Sequence, residues 1–231
     1  MNIISPNFND RKSGQCVDML VIHYTGMQSE KAAIDNLCNP SVAVSAHYII
    51  GEDGSVNRLV DEDKRAWHAG VAWWRGALDI NSRSIGIELV NPGHEFGLRP
   101  FPELQMDALI SLAQAILRRH HIPPRNIVGH SDVAPMRKTD PGELFNWQLL
   151  AKSGIGLWPD GATRTNVGVQ NIGAMLSAYG YETVDLQATI KAFQRHFRPE
   201  LVDGIPDDET VGRLIRLLDM TVQDDHIIKP A

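Results

Sequence analysis

Met19-Leu20-Val21-Ile22-His23-Tyr24-Thr25-Gly26 is an apolar run with β-branched residues that ends at a histidine and is followed by small, turn-forming residues. Such a run reads as a buried strand with an imidazole at its end. The pattern recurs at Ile127-Val128-Gly129-His130-Ser131-Asp132. A sheet can therefore hold His23 and His130 rigidly at strand ends. Arg137-Lys138-Thr139-Asp140-Pro141-Gly142 adds a carboxylate. Together His23, His130 and Asp140 form a chemically complete set of three protein ligands for a catalytic zinc, leaving a fourth tetrahedral position for water or substrate.

Outward from these strings, residues 30–37 are expected to form a short helix stopped by Asn39-Pro40. Strands are expected at 46–50 and 55–60 around Glu52-Asp53-Gly54, an Asp-Gly hairpin signal. Residues 84–90 form a further strand in which Ile85, Ile87 and Leu89 alternate with Gly86, Glu88 and Val90. The connection before it carries Trp67, His68, Trp73 and Trp74. Residues 102–121 are the clearest helix, with Leu109, Leu112, Ala113, Ile116 and Leu117 at helical spacing and cations at its end before Pro123-Pro124. Strands interspersed with helices indicate an α/β sheet with helices packed on it.

The domain boundaries follow from the composition shift. Residues 1–150 form the larger domain, and 151–165, with Gly154, Gly156, Pro159 and Gly161, form a linker. Residues 166–219 carry three amphipathic helices, capped in two cases by Asp185 and Asp207. A three-helix bundle that small is marginally stable alone and is expected to pack on the larger domain. Residues 220–231 read as a frayed tail.

The chain has 231 residues, 43% hydrophobic and 22% charged, which is ordinary for a globular protein. Its net charge of −6 argues against nucleic acid as a partner, because no basic face is evident. The two cysteines, Cys16 and Cys38, could pair in an oxidising compartment, and free thiols are the favoured reading. No stretch approaches the length of a membrane span, and a monomer is expected. The N-terminus carries no ordinary export signal, which favours the cytoplasm, with the periplasm or outer membrane as the alternative.

Amide hydrolysis at a zinc needs a proton acceptor and a positive charge for the developing oxyanion. Glu88, in a strongly apolar strand, is the candidate base, and a glutamate facing solvent is the other reading. Lys138 is the candidate oxyanion stabiliser, and a plain surface lysine is the other reading. Of the nine histidines, His120, His121, His196 and His226 are expected to be solvated and His94 to lie in a loop. His47 is open between a supporting role and packing. His68 could line a cleft, and is a weaker ligand candidate than His23 or His130 because loops hold metals less well.

Six strings in order resemble the zinc-dependent N-acetylmuramoyl-L-alanine amidases of the amidase-2 type, the family that includes the bacterial AmpD and AmiD amidases. They are Val21-Ile22-His23-Tyr24-Thr25, Ser45-Ala46-His47-Tyr48-Ile49-Ile50, Ala66-Trp67-His68-Ala69-Gly70, Ser84-Ile85-Gly86-Ile87-Glu88-Leu89, Val128-Gly129-His130-Ser131-Asp132 and Lys138-Thr139-Asp140-Pro141-Gly142. The resemblance implies a mixed β-sheet flanked by helices. It implies Zn2+ on His23, His130 and Asp140, with Glu88 as catalytic carboxylate and Lys138 as oxyanion-stabilising lysine. The implied reaction is cleavage of the amide between the lactyl group of N-acetylmuramic acid and L-alanine, in peptidoglycan or muropeptide fragments. Trp67 and His68 fall in the family's substrate-groove segment, and His47, Asn81 and Arg83 are further candidate substrate contacts. Ile190-Lys191-Ala192-Phe193-Gln194-Arg195-His196-Phe197 resembles the peptidoglycan-binding domain of three helices, although the connection 181–185 is short for that pattern. Two rival readings are a recognition protein that binds muropeptides without cutting them, and a zinc endopeptidase acting on stem peptides. The complete ligand set argues against the first.

Overall fold

The computed structural model describes residues 4–161 and 169–227, with side chains described to 221. Its elements are β1 (Phe8–Asp10), β2 (Met19–Tyr24), α1 (Glu30–Leu37), β3 (Tyr48–Ile50), β4 (Val56–Arg58), β5 (Lys64–Ala66), α2 (Ile80–Arg83), β6 (Ser84–Leu89), α3 (Gly93–Phe96), α4 (Glu103–Arg119), β7 (Ile127–Gly129), α5 (His130–Val133), α6 (Trp147–Lys152), α7 (Ile172–Tyr179), α8 (Leu186–Phe197) and α9 (Asp208–Ile227). Five strands form one mixed sheet in the order β4-β3-β6-β2-β7. Its inner pairs are all parallel, and β4 is an antiparallel edge. A small antiparallel ribbon joins β1 to β5. This is the mixed sheet flanked by helices, with a C-terminal three-helix unit, that the sequence predicts.

The strand β2 lies at the centre because it can be buried on both faces: Met19, Leu20, Val21 and Ile22 are wholly inaccessible. On one face Leu20 and Ile22, with Ile85, Ile87 and Leu89 of β6, pack against Met106, Leu109, Ala113 and Ile116 of α4 and Trp147 and Leu150 of α6. On the other, Met19, Val21 and Val128 join Trp74 and residues of all three C-terminal helices in a single apolar cluster. The three helices therefore share a core with the sheet, as their size requires.

Several elements depart from the sequence expectations. Strands β3 and β4 are shorter than 46–50 and 55–60. His130 lies just past β7, as the first residue of α5. Helix α6 runs to Lys152, into the stretch expected as linker, and residues 162–165 of that linker lie outside the described residues. Helix α9 continues to Ile227, through most of the stretch expected as a tail. Nothing between 219 and 227 breaks a helix, and each added residue of an established helix gains a hydrogen bond at little cost. Asp185 caps α8 through Ala188 N at 3.0 Å, and Asp207 Oδ1 accepts from Thr210 N at 2.9 Å. Cys16 is exposed and Cys38 half-buried, and both are free thiols.

Candidate metal centre and active site

Strand register builds the site. In the parallel ladder of β2 and β6, His23 stands opposite Glu88. On the other side of β2, Ile22 stands opposite Gly129, so the next residue, His130, comes up beside His23. Residues in register on neighbouring strands project to the same face. His130, His23 and Glu88 thus form a row across the C-terminal ends of β7, β2 and β6, the edge at which parallel sheets characteristically present ligand sites. Asp140 reaches the row on the segment after α5, which is tied to it by Ser131 N donating to Asp140 O at 2.9 Å.

His23 Nδ1, His130 Nδ1 and Asp140 Oδ2 form a nearly equilateral triangle with sides of 3.0, 3.0 and 3.1 Å. The hydrogen positions follow from their partners. Ser84 donates its only hydroxyl hydrogen to Ile80 O at 2.7 Å and so accepts from His68 Nε2 at 3.1 Å. His68 Nδ1 is then a bare acceptor and receives Nε2–H of His23 at 3.0 Å. His23 Nδ1 is left as a lone pair. His130 donates Nε2–H to Ala69 O at 3.0 Å, which in the neutral ring leaves its Nδ1 bare as well. Three acceptors without a hydrogen between them repel, and a cation at their centre removes the conflict. Donors about 2.0–2.1 Å from a tetrahedral zinc stand about 3.3 Å apart, close to the triangle seen. The N, N, O donor set suits zinc.

The electrostatics agree. Burial, followed by the His130 ring, pushes the His23 imidazole down to about 4 against the pull of Asp140. Burial and then His23 take His68 well below its ordinary value. Burial alone would raise Asp140, yet His130 and His23 hold its carboxyl well below the usual range. His23 and Asp140 are therefore in their metal-binding protonation states at neutral pH. Glu88 goes the other way: burial, then the charge of Asp140, holds its carboxyl well above the usual range, and Lys138 only partly opposes this. Its Oε2 is sealed from solvent and has no hydrogen-bond partner.

A cavity of about 380 Å³ opens over this row. His23, His130, Asp140, Glu88, Lys138, Trp67 and His68 all line it, so the structure brings together seven of the ten residues singled out in the sequence. The other three are not among its lining residues. His47 is fully buried, its Nδ1 accepting from Gly86 N at 2.9 Å, and burial followed by Arg11 pushes it down to about 3. Asn81 Oδ1 accepts from the backbone of His68 and Ala69 at 3.1 and 2.8 Å, fixing the His68 loop. Arg83 is engaged by Asp18, with Nε donating to Oδ1 at 2.8 Å. Asn81 and Arg83 stay out of the groove because α2 commits them to the His68 loop and to Asp18, and His47 stays out because its ring is held by Gly86 of β6.

His68 is an orienting partner of His23, and Gly86 makes room for it: a Cβ there would lie 2.4 Å from His68 Cγ. Trp67 is held at the rim by Nε1–H donated to Asn9 Oδ1 at 2.8 Å across the β1–β5 ribbon. Two histidines expected to be solvated are not. His120 is paired with Glu62 at 2.7 Å. His196 is buried, with Nδ1 2.7 Å from Asp132 Oδ2. The sequence did carry a signal for it, since Phe193, His196 and Phe197 share one face of α8 at helical spacing. Arg137 and Asn36, which the sequence reading passed over, also line the cavity.

Two imidazoles and a carboxylate around a metal-sized gap, beside a buried glutamate of raised proton affinity, are a site that could hold a metal ion in a hydrolase. The chain belongs to the N-acetylmuramoyl-L-alanine amidase family, whose model matches residues 13–143, and a peptidoglycan binding domain model matches residues 165–214. It is 39% identical to the N-acetylmuramoyl-L-alanine amidase AmiD of Escherichia coli, over 90% of this chain and 84% of that protein. It is 34% identical to the 1,6-anhydro-N-acetylmuramyl-L-alanine amidase AmpD of Haemophilus influenzae, over 65% of this chain and 90% of that protein. Among solved structures, E. coli AmiD in complex with the substrate anhydro-N-acetylmuramic acid-L-Ala-D-γ-Glu-L-Lys superposes with a TM-score of 0.83 at 38% identity, covering 94% of each chain. AmpDh3 of Pseudomonas aeruginosa in complex with anhydromuramic pentapeptide gives 0.82 at 34% identity, covering 95% of this chain and 99% of that one. Among the described residues, no helix is long and apolar enough to cross a membrane.

Proposed function

We propose that this chain is a zinc amidase that hydrolyses the amide between the lactyl group of N-acetylmuramic acid and L-alanine, in peptidoglycan or its anhydro-muropeptide fragments. The observation that carries the reading is the triangle of bare acceptors on His23, His130 and Asp140, set in one row with a glutamate of raised proton affinity. The substrate class is supported by the muropeptide complexes of AmiD and AmpDh3.

His23, His130 and Asp140 would hold the ion, which when bound supplies a Lewis acid that acidifies water and polarises the carbonyl. Glu88 accepts a proton from the water attacking the lactyl carbonyl carbon. As the C–N bond breaks, it returns that proton to the alanine nitrogen, giving a carboxylate on the sugar side and a free amino group on the peptide. Its raised pKa suits both transfers, since it is a better base than an ordinary carboxylate and an acid once protonated. Lys138, on the cavity wall, presents an ammonium to the carbonyl oxygen as negative charge builds there.

Glu88→Ala decides the role of the base. Cleavage of soluble muropeptides, followed by chromatography and mass spectrometry, is expected to fall by about 100-fold or more. Activity near wild type would sink the assignment. The same spectra read the bond that is cut, because an amidase leaves a peptide beginning with free L-alanine and an endopeptidase does not. Comparing rates on intact sacculi with those on soluble anhydro-muropeptides assigns the physical form of the substrate.

A further inference from the structure

The C-terminal helices touch the segment that carries His130. Asp132, in α5, is 1% exposed, and its carboxylate is enclosed by three donors. Gly129 N–H donates to Oδ2 at 2.7 Å, His196 Nδ1–H donates to the same oxygen at 2.7 Å, and Tyr181 donates its hydroxyl to Oδ1 at 2.7 Å. One donor is the residue immediately before His130. The other two come from the far half of the chain, from α8 and from the connection that precedes it.

Both distant donors are themselves immobilised. The His196 ring is stacked between Trp147, 3.7 Å away at 18°, and Phe197, 3.8 Å away at 9°. Tyr181 is 1% exposed and meets Trp74 edge-on at 5.1 Å. Space around the Asp132–Gly129 link is equally tight, since a Cβ on Gly129 would lie 2.7 Å from Pro141 Cδ, the residue after Asp140. A carboxylate sealed from water that loses a donor must move or take in solvent. Here that movement would pass through Gly129 and Ser131 to His130 and Asp140.

We infer that His196 and Tyr181 are positioning residues for the metal centre, acting through Asp132 to fix where His130 Nδ1 points. The C-terminal helical unit is then part of the frame of the site. The inference rests on reading His130 as a metal ligand. Groups that orient ligands in this way typically change metal affinity by about 10–100-fold when removed.

The test is the Zn2+ affinity of the folded full-length protein, measured by competition with a chromophoric chelator, for wild type, Tyr181→Phe, His196→Ala and His196→Asn. Tyr181→Phe and His196→Ala are each expected to weaken Zn2+ binding by about ten-fold or more. His196→Asn places an amide N–H where Nδ1–H stood and is expected to recover most of the loss. A merely structural role predicts lower melting temperatures with unchanged affinity in all three variants, and that result overturns the inference. Should His196→Ala fail to fold, Tyr181→Phe, which removes one oxygen, decides alone. Failure of wild type to bind Zn2+ would instead overturn the ligand reading itself.

Discussion

Glu88 is the residue in which the site's purpose and the protein's stability pull apart. Its Oε2 is sealed and unpartnered, and its folded pKa is raised, so the folded state binds its proton more tightly than the unfolded chain does. Stability from this group is fully present below the ordinary glutamate pKa and is lost as pH rises through the folded value. Glu88→Gln keeps the shape and removes the charge. It is therefore expected to stabilise the metal-free protein by about 1–2 kcal/mol at pH 8, with the gain vanishing near pH 4. Thermal melts of both proteins at the two pH values check this, and an equal gain at both would contradict it. His23 shows what was legible at this scale. An apolar run ending at a histidine was enough to place its imidazole at a strand end, but nothing local revealed that His68 would set its tautomer, because that depends on His68, 45 positions away, and on Ser84, 16 positions beyond His68.

At the scale of elements, legibility followed periodicity. Strands β2 and β6 and helix α4 announce themselves through repeating apolar positions, and they appear where expected. The β1–β5 ribbon does not, being two three-residue strands of largely polar residues that exist only as a pair. Nor does α2, whose four residues decide that Asn81 and Arg83 stay out of the cavity. Strand β6 carries a further requirement. Gly86 has ordinary extended geometry, so alanine is acceptable to the backbone, but its methyl group would occupy the place of the His68 ring. Gly86→Ala is expected to keep the fold while weakening Zn2+ binding by about 10–100-fold, because a displaced His68 no longer orients His23. Chelator competition measures it, and an affinity equal to wild type would show that His68 can be spared.

Across the whole molecule, two sequence families meet without a seam in the packing. The apolar cluster that holds Met19, Val21 and Val128 of the sheet also holds Ile172, Leu176, Phe193 and Leu214 of the C-terminal helices. Arg75 N donates to Gly180 O at 2.9 Å across the same junction. One cooperative unit is the expected thermodynamic result. Calorimetry should give a single transition with equal calorimetric and van't Hoff enthalpies, whereas two resolved transitions would mean that the helices melt on their own. From sequence, the change of periodicity near residue 166 was visible and the size of the bundle implied that it packs on the larger domain, but the sheet face that receives it was not legible, because an amphipathic face does not name its partner.

The shared cluster also constrains how the protein can change over generations. A wall-binding module tethered by a flexible strap could be exchanged between enzymes like a cassette. Here a bulkier side chain at Val21 or Val128 must be matched by a smaller one elsewhere in the cluster, on either half of the chain. Substitutions in the two halves are therefore expected to be inherited together, and a chimera carrying a foreign C-terminal unit would need the sheet face beneath it as well.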